Sequence, residues 1–173
     1  MKKLILSTTL VAIFGFANAQ TEQGAILVGA SSNLGFTSTS VDGVDDNASN
    51  FNLDARGGYF VIDNLAVGLG LGFNNQKQGD NKIGTTSFGL FGRYYVNGTF
   101  FLGAGFDTTK TTLETAAGSG DVSGSFINFE AGYPVWLGDN AAIEPSLNYS
   151  IGGGDANDGT NVFGLAVGFS LYF

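Results

Sequence analysis

The chain ends on thirteen residues, Asn161 to Phe173, reading NVFGLAVGFSLYF, in which every second residue is apolar. Phe163, Leu165, Val167, Phe169, Leu171 and Phe173 form the apolar set, with the small residues Gly164, Ala166, Gly168 and Ser170 between them. Alternate side chains of a strand point to opposite faces, so one face here is continuous hydrocarbon and the other is nearly bare. Such a strand lays its greasy face either on a protein core or against lipid. The rest of the chain has to separate the two.

Seven earlier stretches share the period of two, at about 24–36, 50–61, 65–74, 85–96, 99–110, 124–135 and 141–151, with 161–173 the eighth. Most approach the roughly 9–11 residues that a tilted strand needs to cross a bilayer. Their connections alternate in length. Asp63-Asn64, Asn97-Gly98 and Leu137-Gly138-Asp139-Asn140 make tight turns, Asn-Gly being a strong hairpin signal because both residues accept positive φ. The other links, at about 37–49, 75–84, 111–123 and 152–160, are longer and polar and read as loops. Short turns at one end and long loops at the other are the pattern of a membrane barrel. The expected fold is all-β, an eight-stranded antiparallel up-and-down transmembrane β-barrel with both termini at the short-turn end.

The two faces bear on the solvent. Only 13% of residues are charged, about half the usual ~25% of soluble domains. One parity gathers the large apolar residues, among them Val67, Leu69, Leu71, Leu90, Leu102, Ile127 and Leu147. The other holds Asp54, Arg56, Arg93, Asp107, Glu130 and Glu144 together with Asn52, Asn128, Asn148 and many glycines. A soluble lipocalin-like barrel would turn the apolar parity inward. Eight stripes of Phe, Leu and Tyr overfill so narrow an interior, which has room only for its own lining. Lipid outside and charge inside is the reading that fits.

Enclosed charges need partners. Arg56 and Arg93 are therefore expected to centre an internal ion-pair network, with Glu130 and Glu144 as partners and Asp54 and Asp107 higher up. The network reads as a structural plug in place of a hydrophobic core, or else as a gate on a narrow polar path. Phe60, Tyr95, Phe101 and Tyr172 share the inward parity and should narrow the short-turn end. Tyr59, Tyr94, Phe100 and Tyr133 lie two to four residues above the tight turns, and Phe73, Phe88, Phe106, Phe129 and Tyr149 eight or nine above them. They read as two aromatic girdles around an aliphatic band. Pro134 and Pro145 each remove a ladder donor, so a bulge or frayed pairing is expected beside them.

The N-terminus reads as an address. Met1-Lys2-Lys3, an uncharged Leu4–Phe16 run and Ala17-Asn18-Ala19 have the layout of a secretory signal peptide over 1–19, leaving the barrel domain at 20–173. Removing Lys2 and Lys3 from the seven basic residues leaves five against fifteen acidic ones, which argues against nucleic acid as a partner. With no Cys and no His, the chain has no disulfides, thiol chemistry, soft metal sites or His-based triads. No cofactor or metal site is expected. The acidic segments VDGVDDN and GGGDANDG lack the ligand spacing of calcium loops.

The eight strands, the alternating links and the C-terminal FGLAVGFSLYF together resemble the small OmpA/OmpX-like outer-membrane barrels of Gram-negative bacteria, over residues 20–173. The resemblance implies an outer-membrane location with termini in the periplasm. It implies contact with outer-membrane lipid and lipopolysaccharide, and a monomeric state. It also implies that Phe173, Leu171, Phe169, Val167 and Leu165 serve as the signal read by the barrel-assembly machinery, Leu171 standing where an aromatic is common. The function expected is non-enzymatic: envelope integrity or surface interaction through acidic extracellular loops, with the interior plugged. A narrow small-solute pore and a soluble ligand-binding barrel are the alternatives.

Overall fold

The computed structural model describes residues 21–31, 35–39, 48–96, 99–116 and 118–173. The signal-peptide segment, the Asn97-Gly98 turn and Asp42, Asp45 and Asp46 lie outside the described residues. Among the described residues ten strands run in chain order: β1 (Ile26–Ser31), β2 (Gly35–Thr39), β3 (Ala48–Ile62), β4 (Leu65–Gln78), β5 (Asn81–Val96), β6 (Phe100–Thr115), β7 (Gly118–Gly132), β8 (Val135–Trp136), β9 (Ala141–Gly153) and β10 (Asn161–Tyr172). β1 and β2 both pair with β3 and share one stave, as β7 and β8 do against β9, so ten strands make eight staves. All pairings are antiparallel between neighbours. The ring closes because β1 bonds both β3 and β10. Phe173 fastens that closure: its N–H donates to the Ile26 carbonyl at 2.9 Å and its carbonyl accepts from the Ile26 N–H at 2.7 Å.

Parity sorts the faces as the alternation predicts. The apolar stripes, including Val67, Leu69, Leu71, Leu90, Leu102, Ile127, Leu147 and Val167, are exposed. Arg93, Glu144, Ser146 and Ser170 are buried inside. This arrangement overturns the soluble, ligand-binding alternative, which required the Phe and Leu stripes in the lumen. An exposed apolar belt on a closed barrel is what a hydrocarbon solvent demands, since closure pairs the backbone groups that lipid cannot satisfy.

Two expectations about the links need correction. The segments 75–84 and 111–123 are not long loops. β4 and β5 continue to a two-residue turn at Gly79-Asp80, where Gly79 takes a φ of 56°, and β6 and β7 continue to Thr115 and Gly118. The apolar alternation stops where these hairpins leave the membrane, but the backbone ladder does not. Glu114 and Asp121, expected in loops, therefore sit on strands. The link after Gly153 does turn at once, and Gly154 and Gly159 have positive φ there.

The prolines interrupt the ladder without shifting it. Register runs unchanged from Gly132 opposite Ser146 to Val135 opposite Ile143, and the Tyr133 N–H still donates to the Pro145 carbonyl at 3.1 Å. The register shift lies elsewhere, between Phe60 and Ile62, next to the turn at Asn64, which takes a φ of 66°. An Asn side chain tolerates that left-handed conformation, and a bulge absorbs the extra residue.

Gly68 is a close-approach position. A Cβ there would lie 2.2 Å from the Gly57 carbonyl oxygen and 2.7 Å from the Gly58 Cα, both of them backbone. Gly68→Ala is expected to lose about 1–3 kcal/mol of stability through overpacking, read by urea titration of the folded protein in phospholipid vesicles. Gly57→Ala, whose Cβ would meet nothing within 4 Å, is the silent control.

Candidate functional site

The interior is built in three layers, from the short-turn end upward. The floor is aromatic. Phe60, Tyr95, Phe101 and Tyr172 are essentially fully buried together with Leu27, Ala66 and Ala142. The Tyr95 ring lies 5.6 Å from Phe60, 5.7 Å from Phe101 and 6.2 Å from Tyr172, centroid to centroid. Trp136 closes the layer from below, 4.7 Å from the Tyr172 ring.

Above the floor stands the ion-pair layer. Arg93, 1% exposed, donates from Nη1 to Glu144 Oε2 at 2.7 Å and from Nη2 to both Glu130 oxygens at 2.8 and 3.0 Å. Arg56 Nη1 donates to Glu130 Oε2 at 3.0 Å, so Glu130 bridges the two guanidiniums. Glu144 also accepts from Ser170 Oγ at 2.9 Å and from the Tyr172 hydroxyl. The Tyr172 and Tyr95 hydroxyls lie 2.9 Å apart, and Tyr95 accepts from Arg93 at 3.2 Å. Arg93 rests 3.9 Å over the Phe101 ring, and Arg56 lies 5.8 Å from the Phe91 ring. Two guanidiniums thus face two carboxylates, and shared charge-assisted bonds offset the desolvation of each.

The third layer is a polar cavity of about 380 Å³, walled by Asp54, Arg56, Asp107, Asn128, Glu130 and Asn148 among others. Asn128 Nδ2 donates to Asp107, and Ser150 Oγ donates to Asn128 Oδ1 at 2.6 Å. Asp54 and Asp107 therefore line the space above the ion pairs and stand outside the Arg93 cluster.

The glycines explain how long polar side chains fit in so narrow a tube. The long charged and amide side chains at this depth face glycines across a strand boundary: Asp54 opposes Gly72, Arg56 opposes Gly70, Asp107 opposes Gly89 and Asn128 opposes Gly105. Likewise Gly103 opposes both Arg93 and Glu130, Gly168 opposes Glu144 and Gly164 opposes Asn148. The inward side chain lies over a bare Cα. At Gly89 a Cβ would fall within 1.5 Å of Asp107 Oδ1.

On the outside, Tyr59, Tyr94, Phe100 and Tyr133 at one end and Phe73, Phe88, Phe106, Phe129 and Tyr149 at the other all face outward and are exposed. Phe129, Tyr149 and Phe163 oppose one another directly across β7, β9 and β10. Of the five C-terminal residues singled out in the sequence, Leu165, Val167 and Phe169 are exposed outward, and Leu171 and Phe173 are half-buried at the closure. At the far rim Lys110 pairs with Asp121 at 2.8 Å and Lys82 with Glu114 at 3.8 Å. The bond from Lys110 holds the Asp121 carboxyl below the ordinary carboxylate range. Among the described residues no group of His, Cys, Asp and Glu is arranged to hold a metal ion.

No family model and no curated protein matches the sequence. Solved structures do match. The N-terminal β-barrel domain of Pseudomonas aeruginosa OprF superposes with a TM-score of 0.54 at 17% identity, covering 87% of this chain and 98% of that one. Ail, the attachment invasion locus protein of Yersinia pestis, gives 0.51 at 16%, covering 87% and 99%. Neisserial surface protein A gives 0.50 at 16%, covering 86% and 96%. The chain has the fold of the small outer-membrane β-barrels. At these identities the likeness concerns architecture, and the chemistry of this barrel has to be read from its own lumen.

Ser170 and the hydroxyls of Tyr95 and Tyr172 are members of the ion-pair layer that the sequence reading missed. The signal was present, since all three have inward parity, but their reach to Glu144 and Arg93 depends on register. Phe91 and Trp136 were likewise unassigned.

Proposed function

We propose that this outer-membrane barrel is non-enzymatic, that its lumen is sealed by the Arg56–Glu130–Arg93–Glu144 network, and that it serves envelope integrity or surface interaction. The observation that carries the reading is Arg93, buried and held by two carboxylates directly over an aromatic floor. A charge fixed this way makes a plug: moving it would leave Glu144 without its ion-pair partner in a dry space. The absence of His and Cys from the chain supports a role without nucleophilic or metal chemistry. Surface interaction gains support from the acidic residues at the far rim, Asp80, Glu114, Asp121, Asp155 and Asp158, and from the attachment named for Ail. The partners implied are the surrounding lipid and lipopolysaccharide, and the barrel-assembly machinery acting on Phe173, Leu171, Phe169, Val167 and Leu165. We take the barrel to be a monomer and the two rings of outward aromatics to be girdles at the membrane interfaces.

The test is single-channel recording of the purified protein in planar bilayers. The plug gives no steady conductance. Reproducible unitary openings would instead identify a narrow small-solute pore.

A further inference from the structure

The interior bonds follow one line. From Arg56 on β3 they run to Glu130 on β7, then to Arg93 on β5, to Glu144 on β9 and to Ser170 on β10. Tyr172 of β10 adds a second hold, reaching Glu144 and the Tyr95 hydroxyl of β5. β5 and β10 are the fourth and the eighth of the eight staves, so the line crosses the whole lumen. Its two ends meet on one strand. β3 and β10 bond β1 from either side, and Arg56 and Ser170 are the residues that oppose Gly29 in those two ladders. Arg56, Glu130, Arg93, Glu144, Ser170 and Gly29 therefore form a closed loop of contacts across the inside of the barrel.

Gly29 is the one member of that loop without a side chain, and it is buried. A Cβ there would lie 2.9 Å from Ser170 Oγ and 3.2 Å from Arg56 Cγ. Both side chains are already committed, Ser170 Oγ to Glu144 at 2.9 Å and the Arg56 guanidinium to Glu130 at 3.0 Å. The place between Arg56 and Ser170 is thus a slot that admits backbone alone. A one-residue slip of β1 would turn its outward residues into the lumen. A two-residue slip that brought Leu27 to the slot would drive a whole side chain between Arg56 and Ser170.

We infer that the ion-pair layer is the latch of barrel closure. It holds β3 and β10 at the separation that grips β1, in the one register that seats Gly29 in the slot. β1 contributes no side chain to the loop of contacts, so its hold depends on where the other strands stand. The closing ladder is thereby governed from across the lumen, by Glu130 and Arg93. The inference goes beyond the sealed-lumen reading and needs only the closed fold. A conducting barrel would still close on β1 in this way.

Native-state amide exchange, followed by NMR on the folded protein in phosphatidylcholine nanodiscs, reads the latch strand by strand. Ile26 and Phe173 exchange both backbone bonds, so by alternation the Val28 and Ala30 amides also point to β10. Glu130→Gln keeps the side chain's shape and removes the charge from the middle of the line, on a strand remote from β1. The Val28 and Ala30 amides should then exchange about tenfold faster or more, the usual weight of a hydrogen bond to a charged group. Leu69 and Leu90, in the β4–β5 ladder, should keep their rates. Equal acceleration at all four amides overturns the inference, as does any result that leaves Val28 and Ala30 at their parent rates. Gly29→Ala tests the slot itself. It should quicken the same two amides, and by a smaller factor once Ser170→Ala has removed the nearest atom. Independent effects of those two changes would mean that no shared slot exists, and would overturn the inference as well. The Glu130→Gln measurement stands whether or not the Gly29 variant folds.

Discussion

Arg93→Ala is expected to lower the folding free energy by about 3–5 kcal/mol, the usual loss when one partner of a buried ion pair is removed. The geometry favours the upper part of that range. The guanidinium is 1% exposed and bonds two carboxylates, and Glu144 is itself only 3% exposed. Truncation leaves Glu144 with hydroxyl donors from Ser170 and Tyr172 but no positive charge. Glu130 suffers less, because Arg56 remains 3.0 Å away. Urea unfolding in phospholipid vesicles, followed by far-UV circular dichroism and the heat-dependent gel shift of the folded barrel, reads the loss. Arg93→Met combined with Glu144→Leu should regain most of it, since paired apolar replacements remove the stranded charge. If the single variant were as stable as the parent, the network would be ornamental and the plug would rest on the aromatic floor alone.

That floor and the ion pairs above it could be read from parity. Once Phe60, Tyr95, Phe101 and Tyr172 are assigned to the same face as Arg56, Arg93, Glu130 and Glu144, the period of two allows little else. A one-residue error would have turned every one of them into lipid. Which carboxylate meets which guanidinium was harder, because partners come from staves whose relative stagger the sequence does not state. Glu130 bonds both Arg56 and Arg93, since Gly103 sits between Arg93 and Glu130 and lets the two side chains cross.

The far end was less legible, for a different reason. Asn74 to Gln78, Asn81 to Thr86 and Thr108 to Thr115 carry no apolar alternation, and so resemble loop. Outside the bilayer both faces of a hairpin meet water, so pairing imposes no hydrophobic period. The ladder persists there on backbone bonds and on polar cross-strand contacts such as Thr85 with Thr111, 3.0 Å apart.

The face assignment itself is tested most sharply by adjacent residues of β10. Val167 points outward and is 46% exposed, four residues from the Phe163–Tyr149–Phe129 row and six from Phe173. That interval puts it near the middle of the hydrocarbon. Val167→Lys should therefore cost about 2–4 kcal/mol, the range for a lysine at the midplane of a barrel's lipid face. Ala166, one residue away, has the inward parity and borders the polar cavity. Ala166→Ser adds a hydroxyl where polar partners and water are at hand, and the same urea titration should record almost no change. Snorkelling of the lysine toward the interface would reduce the first figure but cannot equalise the two. Equal tolerance at both positions would mean that the hydrocarbon face of this strand does not meet hydrocarbon. The membrane reading of the barrel would fall with it.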